Sequence, residues 1–251
     1  MHLPSLLSLA LWFSLVSLVT WSPLRKHVRD KVGYLFIHFY DNYSSPGVYE
    51  TYPAGVRDMY IVSRADESQH FIIGTDLNQT AAGGFGGKFV SRSLVIWDSK
   101  KASLTQWNEP RLVTVVPEEY RMAWAPEAIW LDNDEHFFVY WSSNKFSDAS
   151  HTGDADYDKI YASYTTDFVT FTEPHVYLDL GSHNGVIDLT LGHGPIDGDS
   201  QYVRFFKDES VYKVCGQVSN NGIHADWQDI ESASECVDNH HRAEAANLFA
   251  G

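Results

Sequence analysis

Short runs of apolar, aromatic and β-branched residues dominate the chain after residue 33. Polar turn residues bound these runs, for example the Asp- and Asn-rich segment 132–134 and the Asp-Gly-Asp segment 197–199. No long stretch keeps the period of an amphipathic helix. The pattern therefore predicts an all-β domain, with strands in the segments 33–40, 59–62, 71–73, 93–97, 137–141 and 159–164.

The N-terminal segment has a different character. Leu3 to Trp21 is almost wholly apolar or Ser, and no Lys or Arg precedes Arg25. We expect residues 1–22 to be a signal peptide and the protein to be secreted. A stretch of about 19 residues could also anchor in a bilayer, with its basic flank on the cytoplasmic side. Secretion is the preferred interpretation because the sequence contains no other candidate spanning segment.

A repeat divides the strand-rich part of the chain. Segment 104–113 is similar to segment 168–177, which lies 64 residues later, and a weaker copy follows at 225–230. Each copy ends a unit that opens with an acidic residue just before a strand. A unit of about 60 residues with four short strands has the size of a β-propeller blade with long loops. The acidic residues at the four openings are Asp58, Glu127, Asp188 and Glu244, which are 69, 61 and 56 residues apart.

This spacing has a chemical consequence. The innermost strand of every propeller blade lines the central channel, so residues at the same early position of successive innermost strands point to one axial pocket. We therefore expect the four carboxylates to share a pocket. The alternative is that each carboxylate caps the turn before its own strand.

Composition excludes several classes of function. With 33 acidic and 18 basic side chains the formal net charge is −15, which disfavours binding to nucleic acid. An apolar content of 44% is too high for a disordered chain. Cys215 and Cys236 are too few for a disulfide framework; they can pair in a secreted protein or remain free thiols. The glycine-rich segment 83–88 lacks the spacing of a phosphate-binding loop and is expected to be a flexible loop.

Several motifs, in order, resemble glycoside hydrolase family 43. They are Gly55-Val-Arg-Asp-Met-Tyr-Ile-Val62, Phe71-Ile-Ile-Gly-Thr-Asp-Leu77, Ser91-Arg-Ser-Leu-Val-Ile-Trp97, Trp124-Ala-Pro-Glu-Ala-Ile129, Tyr161-Ala-Ser-Tyr-Thr-Thr-Asp-Phe168, Val186-Ile-Asp-Leu-Thr190 and Arg204-Phe-Phe-Lys-Asp-Glu209. The resemblance implies a five-bladed β-propeller over residues 33–251 that hydrolyses arabinofuranosides, xylosides or related plant-wall glycosides with inversion. Inversion requires a base that activates water and an acid that protonates the leaving oxygen, about 6.5–9.5 Å apart.

The resemblance also implies roles for individual residues. Asp58 resembles the general base, Asp188 the residue that raises the pKa of the acid and orients it, and Glu244 the general acid. Glu127 resembles the acidic position of the Trp-Ala-Pro motif, to which we give a substrate-contact role. The remaining predicted pocket residues are Arg57, Trp124 and Arg204, for which the alternatives are structural ion pairing or core packing.

The sequence departs from the family pattern at both ends. The first blade is shorter than expected, and only seven residues follow Glu244, where most of another blade should lie. We therefore expect a truncated propeller, and a catalytically inactive glycan-binding propeller is the alternative function. The predicted partner is an arabinose- or xylose-containing glycan, with no nucleic acid and no stable membrane partner, and the expected oligomeric state is a monomer. No cofactor and no metal ligands are predicted, although the resemblance leaves room for a structural Ca²⁺ in the channel.

Overall fold

In the computed structural model, the chain is described at residues 55–78, 82, 84–132, 134–181, 183–196, 199–230 and 236. These residues form β-strands, turns and loops, and no helix occurs among them. The strands are β1 (Val56–Ser63), β2 (His70–Asp76), β3 (Ser93–Asp98), β4 (Arg111–Thr114), β5 (Trp124–Leu131), β6 (His136–Ser143), β7 (Lys159–Thr165), β8 (His175–Leu178), β9 (Val186–Ile196), β10 (Asp199–Asp208), β11 (Lys213–Ser219) and β12 (Gln228–Asp229).

The twelve strands make three four-stranded sheets, and in each sheet every strand pairs antiparallel with the next along the chain. The strand orders are β1-β2-β3-β4, β5-β6-β7-β8 and β9-β10-β11-β12. The predicted all-β class and the four-stranded repeat are thereby confirmed. The two stronger copies of the sequence repeat overlap the fourth strands β4 and β8, and the weaker copy at 225–230 overlaps β12.

The sheets stack through their first strands. Strand β5 packs against β1 and β2 of the first sheet, and β9 packs against β5 and β6 of the second. This stacking brings the predicted blade openings next to one another, because Asp58, Glu127 and Asp188 lie on β1, β5 and β9.

Two apolar clusters fill the space between the sheets, and the middle sheet contributes to both. Along β6, Phe137, Val139 and Trp141 belong to the cluster shared with the first sheet. Phe138 and Tyr140, which alternate with them, belong to the cluster shared with the third sheet. Because successive strand residues point to opposite faces, a sheet that is covered on both sides needs an unbroken apolar strand. The same reason explains why β6 was among the segments predicted from sequence.

A disulfide bond joins Cys215 of β11 to Cys236, so of the two states that the sequence left open the paired one is found. The described residues also include no helix that is long and apolar enough to cross a membrane. The predicted signal peptide, the predicted strand at 33–40 and Glu244 lie outside the described residues.

Candidate functional site

Each sheet has the same irregularity near the start of its first strand. Two residues of the first strand stand opposite one residue of the second, at 58–59, 125–126 and 188–189. The first residue of each bulge has a left-handed backbone: φ is 47° at Asp58, 46° at Ala125 and 54° at Asp188. Such a conformation is uncommon outside glycine, and bulges of this kind are over-represented next to active sites.

The bulges correct the predicted alignment of the acidic residues. Asp58 and Asp188 are structurally equivalent, but their counterpart in the middle sheet is Ala125. Glu127 lies two residues further along its strand, where the other first strands have Tyr60 and Thr190. The prediction that Glu127 opens its unit at the same position as the two aspartates is therefore wrong. A side chain two residues further on shares the face of the strand but lies about one and a half turns of hairpin pairing, roughly 7 Å, deeper along it.

Two hydroxyl groups connect each bulge to the preceding sheet. Thr75 Oγ1 on β2 accepts a hydrogen bond from Ala125 N at 2.8 Å and donates one to Asp58 Oδ2 at 3.0 Å. Ser142 Oγ on β6 accepts a hydrogen bond from Asp188 N at 3.1 Å. Thr75 and Ser142 occupy equivalent positions, since each pairs with the residue just before a bulge. The sheets are thus held in register at the level of the two aspartates.

Asp58 combines access to water with a protein environment on most sides. Its side chain belongs to an exposed residue, yet the surrounding protein raises the pKa of its carboxyl above the usual range. The hydrogen bond from Thr75 and the positive charge of Arg57 oppose this rise. Water-accessible carboxylates with a raised pKa occur in concave sites, and a raised pKa makes a carboxylate a stronger base. Asp58 therefore has the properties that its predicted role requires.

Glu127 lies in a different environment, with only 8% of its surface exposed. Its carboxylate accepts a hydrogen bond of 2.9 Å from the hydroxyl of Tyr140, and that hydroxyl accepts one from Leu191 N at 3.0 Å. Burial raises the pKa of Glu127 to about 8, and the negative charge of Asp188 contributes to the rise, whereas hydrogen bonds from Thr190 and Tyr140 oppose it. These internal partners assign Glu127 to the packing of β5, β6 and β9, and not to the substrate contact that the sequence predicted.

A cluster of cationic and aromatic side chains lies beside Asp58. The guanidinium carbon of Arg57 is 5.3 Å from the ring centre of Phe85, which meets the ring of Trp124 edge to face at 6.0 Å. Arg121 lies 5.4 Å above Trp124 and donates hydrogen bonds to the carbonyl oxygens of Phe85 and Gly87. The structure therefore brings the predicted pocket residues Arg57 and Trp124 together near Asp58, through Phe85.

Phe85 and Arg121 are site residues that sequence reasoning missed. Phe85 belongs to the glycine-rich segment that was expected to be a flexible loop, whereas Arg121 ties that segment to the start of β5. The available signal was a phenylalanine among glycines, since an apolar ring in a polar connection usually has a contact to make.

Arg204 does not belong to this site. It is 6% exposed, donates a hydrogen bond of 2.7 Å to Gln217, and lies 4.2 Å from the ring centre of Trp227 and 5.5 Å from that of Tyr177. Tyr177 belongs to the second sheet, whereas Arg204 and Gln217 belong to the third. The pocket role predicted for Arg204 is wrong because its side chain fills the space between two sheets, which was the alternative.

We expect Arg204→Met to destabilise the fold by about 1–3 kcal/mol, because it leaves Gln217 without its buried donor and removes the cation from Trp227. Urea unfolding followed by fluorescence measures the change. The matched control is Arg64→Met, because Arg64 also lies over a tryptophan ring, that of Trp130, but at the surface. Equal losses in both variants would contradict the structural role of Arg204.

No set of three or more His, Cys, Asp or Glu side chains in the described part of the chain is arranged to hold a metal ion. We therefore derive no catalytic step that uses a metal.

Comparison with known proteins decides the family. Residues 48–251 match the family model of glycosyl hydrolase 43-related proteins, described as "Probable glycosyl hydrolase domain". The chain belongs to this family. The resemblance inferred from the sequence motifs is thereby confirmed.

Among curated relatives of this glycosyl hydrolase 43-related chain is an α-L-arabinofuranosidase of Bifidobacterium longum subsp. longum. The two are 30% identical over 169 residues, which cover 62% of the present chain but 15% of that enzyme. The chain thus spans a small part of the length of this relative.

Similar solved structures include an α-L-arabinanase of Penicillium chrysogenum in complex with arabinobiose, at a TM-score of 0.43 and 14% identity over 66% of this chain and 46% of that one. An endo-arabinase of Bacteroides thetaiotaomicron has a TM-score of 0.44 and 13% identity, covering 72% of this chain and 57% of that one. At TM-scores below 0.5 we base no assignment on these similarities.

Proposed function

We propose that the protein is a secreted glycoside hydrolase that acts on arabinose- or xylose-containing plant-wall glycans with inversion. The observation that carries the proposal is the equivalence of Asp58 and Asp188, each on a left-handed bulge of neighbouring first strands. Two carboxylates that point from adjacent strands toward a common space are what an inverting hydrolase needs. Membership of a glycosyl hydrolase family and the arabinofuranosidase relative support the reaction class and the sugar.

In the proposed reaction Asp58 takes a proton from water as the water oxygen attacks the anomeric carbon. Glu244 donates its proton to the glycosidic oxygen as the bond from that oxygen to the anomeric carbon breaks. Asp188 carries a negative charge that disfavours ionisation of the acid and so keeps it protonated until it acts. Arg57, Phe85 and Trp124 would contact the sugar beside Asp58.

For the scaffold we propose a five-bladed propeller, in which the three described sheets are consecutive blades. Their four-stranded antiparallel order and their stacking through the first strands support this architecture. The next blade would open at the segment around Glu244, where the sequence repeat places the acid.

Secretion is part of the proposal. The disulfide bond between Cys215 and Cys236 supports it, because such bonds persist in oxidising compartments and are rare in the cytosol.

The test is to incubate the purified chain with aryl α-L-arabinofuranoside and aryl β-D-xyloside and to follow the released sugar by ¹H NMR. We expect hydrolysis of one of these glycosides, with the opposite anomer appearing first, and no hydrolysis by Glu244→Ala. Release of the same anomer would exclude inversion. No hydrolysis by the unmodified chain, with sugar binding retained, would support the inactive glycan-binding alternative.

A further inference from the structure

The loop between β2 and β3 exposes a second phenylalanine outside the proposed catalytic site. Phe89 is 71% exposed, and its ring lies on the ring of His151 at 4.8 Å with an interplanar angle of 10°. His151 in turn stacks on Phe146 at 4.3 Å and 15°. The outermost ring of this three-ring stack thus has one face against the protein and presents the other face to water.

The support beneath Phe89 is built from buried, hydrogen-bonded groups. His151 is 6% exposed and Phe146 is 3% exposed. The two ring nitrogens of His151 lie 2.7 Å from the carbonyl oxygen of Lys88 and 2.8 Å from that of Glu118. The residue that precedes Phe89 is fixed as well, because Lys88 Nζ donates to the carbonyl oxygen of Gly153 and lies 5.8 Å from the ring centre of Phe146. The orientation of the exposed ring is therefore set before any ligand arrives.

The same loop connects this ring to the proposed catalytic site. Phe85, four residues before Phe89, is also exposed, and it lies between Arg57 and Trp124 next to Asp58. A polymer that enters the site at Asp58 and passes over this loop would meet both rings. A net charge of −15 disfavours polyanions as the occupant. The apolar C–H face of a neutral sugar ring matches a flat aromatic surface that is held from behind.

We propose that Phe89 forms an accessory subsite, distinct from the Asp58–Asp188 site, that stacks one sugar ring of a neutral plant-wall polysaccharide. This inference rests on the proposed function for the identity of the polymer. Its ligand class is a glycan of at least several residues, because a monosaccharide glycoside held at Asp58 does not extend to Phe89.

The test compares a polymer with a small glycoside. We expect Phe89→Ala to weaken binding to soluble arabinoxylan or arabinan by about five- to tenfold, measured by affinity electrophoresis and calorimetry. Its kcat/KM on aryl arabinofuranoside should remain within about twofold of the unmodified chain. Phe89→Trp should retain polymer binding, whereas Phe89→Leu, which is apolar but not flat, should lose it. The matched control is Val169→Ala, since Val169 is exposed to 57% on another loop.

Several results would overturn the inference. One is unchanged polymer binding in Phe89→Ala; another is full binding by Phe89→Leu, which would indicate a general hydrophobic contact. A dimer of the unmodified chain that becomes a monomer in Phe89→Ala, seen by sedimentation, would assign this face to self-association. Because polymer binding is measured without turnover, an inactive chain would refute the proposed reaction and still leave the subsite open to this measurement.

Discussion

Asp58→Asn is expected to lower kcat on aryl arabinofuranoside by a factor of about 10²–10⁴, the range that a general base contributes. The asparagine amide cannot accept a proton from water, whereas its carbonyl oxygen can still accept the hydrogen bond from Thr75. The variant should therefore keep its fold, which circular dichroism and the unfolding midpoint would verify. Steady-state kinetics with the aryl glycoside measures the loss.

Two further measurements separate a base from a structural residue. Azide attacks the anomeric carbon without needing a base, so added azide should restore turnover in Asp58→Asn and produce a glycosyl azide of inverted configuration. The matched control is Asp66→Asn on the same hairpin, because Asp66 also accepts a hydrogen bond from a hydroxyl, that of Ser68 at 2.6 Å, but at the surface. Activity of Asp58→Asn equal to that of Asp66→Asn would remove Asp58 from the mechanism.

Glu127→Gln is expected to stabilise the protein at pH 8 by about 2–4 kcal/mol relative to the unmodified chain, and to change stability little at pH 4. In the folded state the pKa of Glu127 is raised to about 8 from a usual value of 4.5. Between these values the folded protein keeps a proton that the unfolded chain releases, so stability falls as the pH rises through this window. Glutamine does not titrate, and its carbonyl oxygen can accept the same hydrogen bond from Tyr140.

Urea unfolding at several pH values from 4 to 9 measures this difference. Glu127→Ala should be less stable at every pH, because it leaves a cavity and an unpaired Tyr140 hydroxyl. The matched control is Glu119→Gln: Glu119 lies 3.2 Å from the Lys145 ammonium, and its hydrogen bonds lower its pKa, so it should show no gain in stability toward pH 8. The same pH dependence in Glu127→Gln and the unmodified chain would contradict a protonated Glu127.

Much of the architecture could be predicted from the sequence because local pattern and repeat both report it. Strands β2, β3 and β6 are almost unbroken apolar runs, since the first is buried throughout and the other two lie between packed layers. The short outer strands β4 and β8 are partly exposed and carry little apolar signal. Only their repeated sequence indicated that each ends a four-stranded unit.

Asp58 and Asp188 were also recognisable from the sequence, because each follows an apolar-rich strand start at a recurring distance. Glu127 was assigned to the same position because spacing along the chain does not reveal which residue takes the bulge. In the structure Ala125 has the left-handed backbone, and Glu127 falls two residues beyond it. The energetics of that buried carboxyl, including its pKa of about 8, follow from the displacement.

The sequence by itself determined the all-β class, the repeating unit, the family and two aspartates, because these depend on residue type and spacing along one strand. Tertiary structure alone decided which side chains face each other across sheets. Arg204 turned out to pack on Trp227, and Phe89 to rest on His151, 62 residues later in the chain. Strand alternation specifies a face of a sheet, but what covers that face depends on how separate sheets stack, and that information is not local in sequence.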